Sequence, residues 1–226
     1  VKDFAAKIRA SRNKLRNDVW VAVKTTIMKT LEYPMAALTL TKAQWDKIMW
    51  HLLRVCLPCS GFAATFPHTV LYGPTEFGGL GLFHPWYNQE LTHLETFWEE
   101  ISMDSHTGQL LMSSVEILKL ELGLFQPLTS VPFEDFHPLA TDCWMKTLWH
   151  SCQLFDMQLE EPTQDLGPRR LGDRALMEVF HNLGHYTGQD LAKLNECRSF
   201  LQAVSVSDIA SADGTSIHQD AYSGIA

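Results

Sequence analysis

The sequence predicts a mainly α-helical protein: a multi-helix, bundle-like array with one short extended or hairpin segment near residues 66–82. Three observations carry that reading. Apolar residues recur at helical spacing along most of the chain, which draws one buried stripe on each segment. The periodic segments open on Ser, Thr or Pro and close on Gly or Pro, the residues that start and stop helices. Between residues 58 and 85 both regularities stop, and Pro, Gly and aromatic residues crowd together instead.

The first helix carries Phe4, Ile8, Leu15, Val19, Val23, Ile27 and Leu31, with Lys7, Arg9, Arg12, Lys14 and Arg16 largely off that stripe. It closes at Tyr33-Pro34, because a residue before proline is pushed out of the α region. Thr41 caps a second helix bearing Trp45, Ile48, Met49, Leu52, Leu53 and Cys56, which Pro58 and Gly61 stop. The stretch FPHTVLYGPTEFGGLGL (66–82) follows as the longest non-helical segment of the first half, with a short strand or hairpin expected around Thr69–Tyr72. Pro85 opens a third helix, whose face is Leu91, Leu94, Trp98 and Ile101. Asp104 or Ser105 caps a fourth through Leu111, Val115, Leu118 and Leu122, and Gly123 ends it.

The segment FQPLTSVPFEDFHP holds three prolines and no period, so it reads as a linker. Thr141–Phe155 forms a fifth helix with Trp144, Leu148, Cys152 and Phe155 on one side. EEPTQDLGPRR is a further connection, before a short sixth helix over Asp173–Leu183 that Gly184 ends. Thr187 and Asp190 have the spacing of a capping box and open a seventh helix through Leu191, Leu194, Arg198 and Leu201. Asp213-Gly214 marks a turn near the C-terminus.

Composition narrows the function classes. With 46% hydrophobic and 19% charged residues, the 226-residue chain has the make-up of a globular protein rather than a disordered one. No apolar run is long enough for a transmembrane helix, and the charged N-terminal segment lacks the apolar core of a signal peptide. Cys56, Cys59, Cys143, Cys152 and Cys197 are odd in number and scattered through helical patterns, which points to free thiols. The expectation is an intracellular protein, cytoplasmic or nuclear and not secreted. A start without Met and an end at TSIHQDAYSGIA, without cap or apolar run, read as a piece of a longer frame.

The net charge of −8 hides a strong asymmetry. Residues 1–60 carry 11 Lys and Arg against 4 Asp and Glu, whereas residues 61–168 carry 2 against 15. Cations at that density on a helix can track a nucleic-acid backbone, or they can face the acidic middle of the same chain. Both readings stand on composition alone.

Motifs that would carry chemistry fail on their partners. Gly78-Gly79-Leu80-Gly81 lacks the Gly-Lys-Ser/Thr ending of a phosphate loop and the register of a dinucleotide loop. Glycines that permit tight turning and close packing explain it better, with Pro67 and Pro74 fixing the turns. Cys56-Leu57-Pro58-Cys59 could supply two zinc thiolates, but Cys143, His150 and Cys152 are the only further cluster and have no finger-like spacing. Glu99-Glu100 reads as a solvated acidic face. His181 and His185 are separated by the helix-breaking Gly184. Neither a metal nor a cofactor is expected.

The order of motifs nevertheless resembles a known family. YPMAALTLTKAQWDKI, FPHTVLYGPTEFGGLGL and NQELTHLETF, then HTGQLLMSSVEILKLELG, the Trp144/Trp149 helix and LNECRSFLQAVSVSDIASADGTSI resemble the region downstream of the polymerase palm in retroelement reverse transcriptase-like proteins of algae and other unicellular eukaryotes. The likeness runs from about Asn17 to Ile217, anchored by Tyr72-Gly73-Pro74 with Gly78–Leu82 and by Ala212–Ser216.

The resemblance implies a thumb-like helical region over 1–125 with a Pro/Gly joint at 58–85, a post-thumb helical region over 126–205, and a poorly ordered tail over 206–226. It implies an RNA/DNA template–primer duplex as partner, gripped by the basic N-terminal helix, and an upstream palm domain of the same polyprotein. Lys7, Arg9, Arg12, Lys14 and Arg16 are the expected phosphate contacts, with Lys2 and Lys24 extending the set. Pro67, Pro74, Gly78, Gly79 and Gly81 are the expected joint. The aromatic-x-Asp-Asp turn of a polymerase is missing: the adjacent acidic pairs are Glu99-Glu100, Glu134-Asp135 and Glu160-Glu161. The chain is therefore expected to be a non-catalytic fragment of an RNA-directed DNA polymerase-type protein, without membrane or small-molecule partners. The alternative is a helical protein-interaction module that binds no nucleic acid.

Overall fold

The computed structural model describes residues 1–11, 15–103, 105–159 and 170–219, and every described element is a helix, a turn or an isolated bridge. The chain is mainly α, as its periodicity predicts. It divides into two compact units, Val1–Thr96 and Phe97–Ala226, and the division falls inside one helix. The boundary expected at 125/126 does not coincide with it.

Unit 1 begins with α1 (Lys2–Ala10) and α2 (Arg16–Ala22), the latter continuing through a π-helical turn (Val23–Ile27) into α3 (Met28–Glu32). The single long helix expected here is interrupted. Ser11 and Leu15 are extended, and Leu15, assigned to the buried stripe from its spacing, is 70% exposed. α4 (Lys42–Cys59) opens on the expected cap: Thr41 accepts from the Gln44 N–H, and the Gln44 side chain accepts from the Thr41 N–H.

Both α1 and α2 pack on α4. Val19, Val23, Ile27 and Met28 meet Met49, Leu52, Leu53, Cys56 and Leu57 in one core, completed by Leu71 and Leu82. Each such side chain contributes about 1.5–3 kcal/mol relative to exposure, so this face, rather than helix propensity, holds unit 1 together.

The joint differs from expectation in one respect. In place of a strand or hairpin at Thr69–Tyr72 stands a short helix, α5 (His68–Leu71), and a 3-10 turn follows at Thr75–Phe77. Pro67 supplies the helix start, since its carbonyl accepts from the N–H groups of Val70 and Leu71. The chain then folds back along α5: Leu80 N–H donates to the Val70 carbonyl, Leu82 N–H to Leu71, and Gly81 N–H to Gly73. A Cβ on Gly79 would overlap the Gly73 carbonyl, which is why glycine stands there.

Pro85 opens α6 (Pro85–Ser102) as expected, but the buried face is not the one the apolar residues mark. Leu91 and Trp98 are exposed, whereas Gln89, Glu90, His93 and Leu94 are buried. The polar residues win because they find partners. Gln89 Oε1 accepts from the Leu40 N–H and the Trp45 indole, its Nε2 donates to the Leu40 carbonyl, and His93 Nε2 donates to the Met35 carbonyl.

In unit 2, α7 (His106–Leu122) is capped by Ser105, which accepts from the Gly108 N–H, and it ends at Gly123 with φ +67°. The stretch read as a linker is folded: 3-10 turns at Leu128–Ser130 and His137–Leu139 flank α8 (Phe133–Phe136), and Leu128, Val131 and Phe136 are buried. α9 (Trp144–Leu154), α10 (Leu176–Asn182) and α11 (Gly188–Phe200) follow, the last opened by the expected Thr187/Asp190 box. Residues 206–219 of the expected tail are likewise folded, with α12 (Val206–Ile209) and an Ala210–Ile217 bridge closing the Asp213-Gly214 turn. Glu160–Arg169 of the second expected connection and residues 220–226 of the tail lie outside the described residues.

Candidate nucleic-acid interface

Unit 1 contains an open cavity of about 1370 Å³. Its floor is apolar, from Met49, Leu53, Leu57 and Leu82. Its walls come from α4, the π-helical turn, the joint and the first turn of α6. Lys42, Asp46, Trp50 and Arg54 stand four residues apart on α4 and so share one stripe beside the buried face. Lys24 comes from the π-helical turn. Among the described lining residues Asp46 is the single carboxylate, set against Lys24, Lys42 and Arg54.

Asp46 is engaged on two sides. Lys42 Nζ lies 3.0 Å from Oδ2 and His84 Nε2 lies 2.9 Å from Oδ1. Burial is the largest single influence on Asp46 and raises its pKa, but the hydrogen bonds and charges of Lys42 and His84 together outweigh it and hold the carboxyl below its ordinary value. Burial pushes the His84 pKa down, and the neighbouring Asp46 does not fully restore it. The neutral tautomer follows from geometry. His84 Nδ1 accepts from the Trp86 N–H at 3.2 Å, so the ring proton sits on Nε2 and faces Asp46. Both ring nitrogens are used, so His84 is an anchor for the start of α6 and not a general base.

Aromatic groups line the same cavity. The Arg54 guanidinium lies over the Trp50 ring at 4.9 Å from its centroid. Tyr72 meets His84 edge-on at 4.9 Å, and His84 meets Tyr87 at 5.8 Å. Burial, with the nearby Asp46 charge, pushes the Tyr72 phenol up to about 12, so it remains a neutral hydroxyl. Fixed cations, flat exposed rings and neutral polar groups can bind an anion that carries planar rings.

The residues singled out in sequence are distributed as follows. Lys7 and Arg9 occupy the last turn of α1, where cations favour the helix dipole, and both are exposed, as is Lys2. Arg16 is exposed at the start of α2, with its stem across the turn at Gly61: a Cβ there would stand 2.8 Å from Arg16 Cδ. Arg12 and Lys14 lie outside the described residues. Lys24 is brought to the cavity together with Pro74 and Gly81 of the joint, whereas Pro67 starts α5 and Gly78 turns the backbone at φ +79°.

The thiols and remaining histidines form no site with one another. Cys56 is buried and Cys59 half-buried, and none of the five cysteines is in a disulfide. His181 pairs with Asp135 at 2.9 Å rather than with His185. Among the described residues no cluster of three or more His, Cys, Asp or Glu side chains gathers that could hold a metal, and no helix is long and apolar enough to cross a membrane.

Sequence reasoning missed Lys42, Trp50, Arg54, His84 and Tyr87. A signal was present for three of them. Lys42, Trp50 and Arg54 fall on a second stripe of α4, one face away from the apolar stripe, where an exposed Trp beside a cation has no packing role to explain it. His84 and Tyr87 had no such signal, since the fold-back of the joint alone brings them near α4. No protein-family model, curated protein or solved structure matches this chain.

Proposed function

We propose that unit 1 is a non-catalytic nucleic-acid-binding element, of the kind that accompanies the palm in reverse transcriptase-like proteins and grips template and primer. One observation carries the reading. The basic segment displays its cations outward, with Lys2, Lys7, Arg9, Arg16, Lys47 and Arg54 all exposed on a single compact unit. Phosphate contacts from such residues give binding that is strong, salt-sensitive and indifferent to sequence. The motif resemblance supports the same partner, and the absence of an aromatic-x-Asp-Asp turn from the sequence supports a role without polymerisation. Fluorescence anisotropy of a labelled RNA–DNA hybrid tests it. Neutralising Lys7, Arg9, Arg12, Lys14 and Arg16 to Gln should weaken binding by at least about tenfold; unchanged affinity would remove these residues from the interface.

A second reading, a helical protein-interaction module, is favoured by Leu110 and Ile117 on α7, which are 55% and 64% exposed and seven residues apart. Nuclease-treated protein that sediments as an oligomer, and as a monomer after Leu110→Glu with Ile117→Glu, supports it. A monomer throughout contradicts it.

A further inference from the structure

The geometry points to the unit 1 cavity as a seat for unpaired nucleic-acid strand, with bases against Trp50, Phe83 and Tyr87 and phosphates at Lys24, Lys42 and Arg54. This rests on the nucleic-acid reading above and specifies which form of strand the cavity takes.

Sites for small ligands enclose about 300–1,000 Å³, and this cavity of about 1370 Å³ is larger and open to solvent. A single metabolite would leave much of it filled with water, whereas several linked nucleotides would fill it.

Phe83, Trp50 and Tyr87 are 64%, 52% and 43% exposed, so large apolar faces are left to water inside a charged cleft. A duplex has little use for them, because its bases are stacked on each other and present only edges and phosphates. An unpaired strand presents a π-face on every base, and interleaved rings and cations are the pairing that binds it without regard to sequence. Arg54 over Trp50 already places a cation beside a stacking platform.

Asp46, the one carboxylate among the described lining residues, is held by Lys42 and His84, which limits its repulsion of a phosphate. Lys24 stands beside Gly81, where the lack of a side chain leaves the backbone of the joint open to the cavity: a Cβ there would lie 3.6 Å from Lys24 Nζ.

The test uses the whole chain and three probes: a short labelled oligothymidine, a labelled RNA–DNA hybrid, and unlabelled thymidine monophosphate as competitor. Binding of the oligothymidine should weaken by about tenfold in Trp50→Ala with Tyr87→Ala, in line with the loss of stacked bases, and by clearly more than binding of the hybrid. Trp50→Phe should keep the affinity, because a ring remains, and lose part of the fluorescence quenching that the oligothymidine causes. Hybrid binding without oligothymidine binding, or oligothymidine binding indifferent to the two alanines, overturns the cavity proposal and leaves the wider reading intact. Failure of both nucleic acids to bind overturns both. Competition by the monophosphate as effective as that by unlabelled oligothymidine makes the cavity a mononucleotide site and overturns the strand assignment.

Discussion

Lys24 Nζ lies 3.6 Å from the point that a Cβ would occupy on Gly81, so the basic segment and the glycine joint meet at one wall of the cavity. Gly81 has φ +62°, and the same Cβ would press on Thr75 Cγ2 at 2.8 Å. Gly81→Ala should therefore cost about 1–2 kcal/mol of unfolding free energy, read from urea denaturation. It should also reduce oligothymidine affinity by crowding Lys24. Wild-type stability in this variant would show that the fold-back of the joint is not as described.

Gln89 is a second point of dependence. Its buried amide bonds both backbone groups of Leu40 and the Trp45 indole. Gln89→Leu keeps the volume roughly constant but leaves those groups without partners, at about 1–3 kcal/mol for each one orphaned. Chemical denaturation should place the loss at several kcal/mol, well above the effect of replacing exposed Leu91 by Ala.

Acid sensitivity follows from two histidines. Burial depresses the pKa of His84 and of His93, against the opposing pull of Asp46 and Glu90 respectively. Unfolded imidazoles take up protons near about 6.5, and the folded ones only at lower pH, so the unfolded state holds more protons in between. Stability should fall as pH drops below about 6.5 and level off, for these groups, below their folded values. Asp46 adds a separate loss only at lower pH, as it falls from the ordinary carboxyl value through the depressed folded one. Thermal midpoints measured from pH 7 to pH 5 should decline, and His84→Gln should remove its own share while leaving that of His93. An unaltered profile in the variant contradicts this assignment.

In unit 2 the C-terminal end of α7 depends on Arg198. Its guanidinium donates to the carbonyls of Leu120 and Glu121 and to Asn195 Oδ1, and burial lowers its pKa to about 10, so it stays charged at neutral pH. Arg198→Met should destabilise by about 2–4 kcal/mol through the unpaired carbonyls. Gly123→Ala should do comparable damage, because its Cβ would overlap the guanidinium at a position already at φ +67°. Hydrogen exchange of the last turn of α7 checks both.

How much of this was readable beforehand depended on whether the determinant was local. The caps at Thr41, Ser105 and Thr187 were legible because a cap is a contact over three residues. The stop at Gly123 was legible too, but its partner Arg198 was not, since they are joined only by the tertiary fold. Reading the apolar residues of α6 as its buried face failed because Gln89 and His93 bury themselves through partners at Met35, Leu40 and Trp45. The strand or hairpin expected near Thr69 is a helix because the Pro67 carbonyl accepts from the Val70 and Leu71 N–H groups and Leu71 has a core to enter. Of the site, the basic residues were visible as composition. The cavity was not, since it needs the joint to fold back until Gly81 and His84 face Lys24 and Asp46.

The most direct measurement is the salt dependence of binding by the intact chain. Anisotropy titrations with the RNA–DNA hybrid and with oligothymidine, repeated across a range of salt concentrations, should give log affinities that fall linearly with log salt. For oligothymidine, each of Lys24→Gln, Lys42→Gln and Arg54→Gln should make that slope shallower by about 0.7, the amount expected for one phosphate on a single strand. An affinity that ignores salt, or no binding of either nucleic acid, would contradict the proposal that unit 1 is a nucleic-acid-binding element.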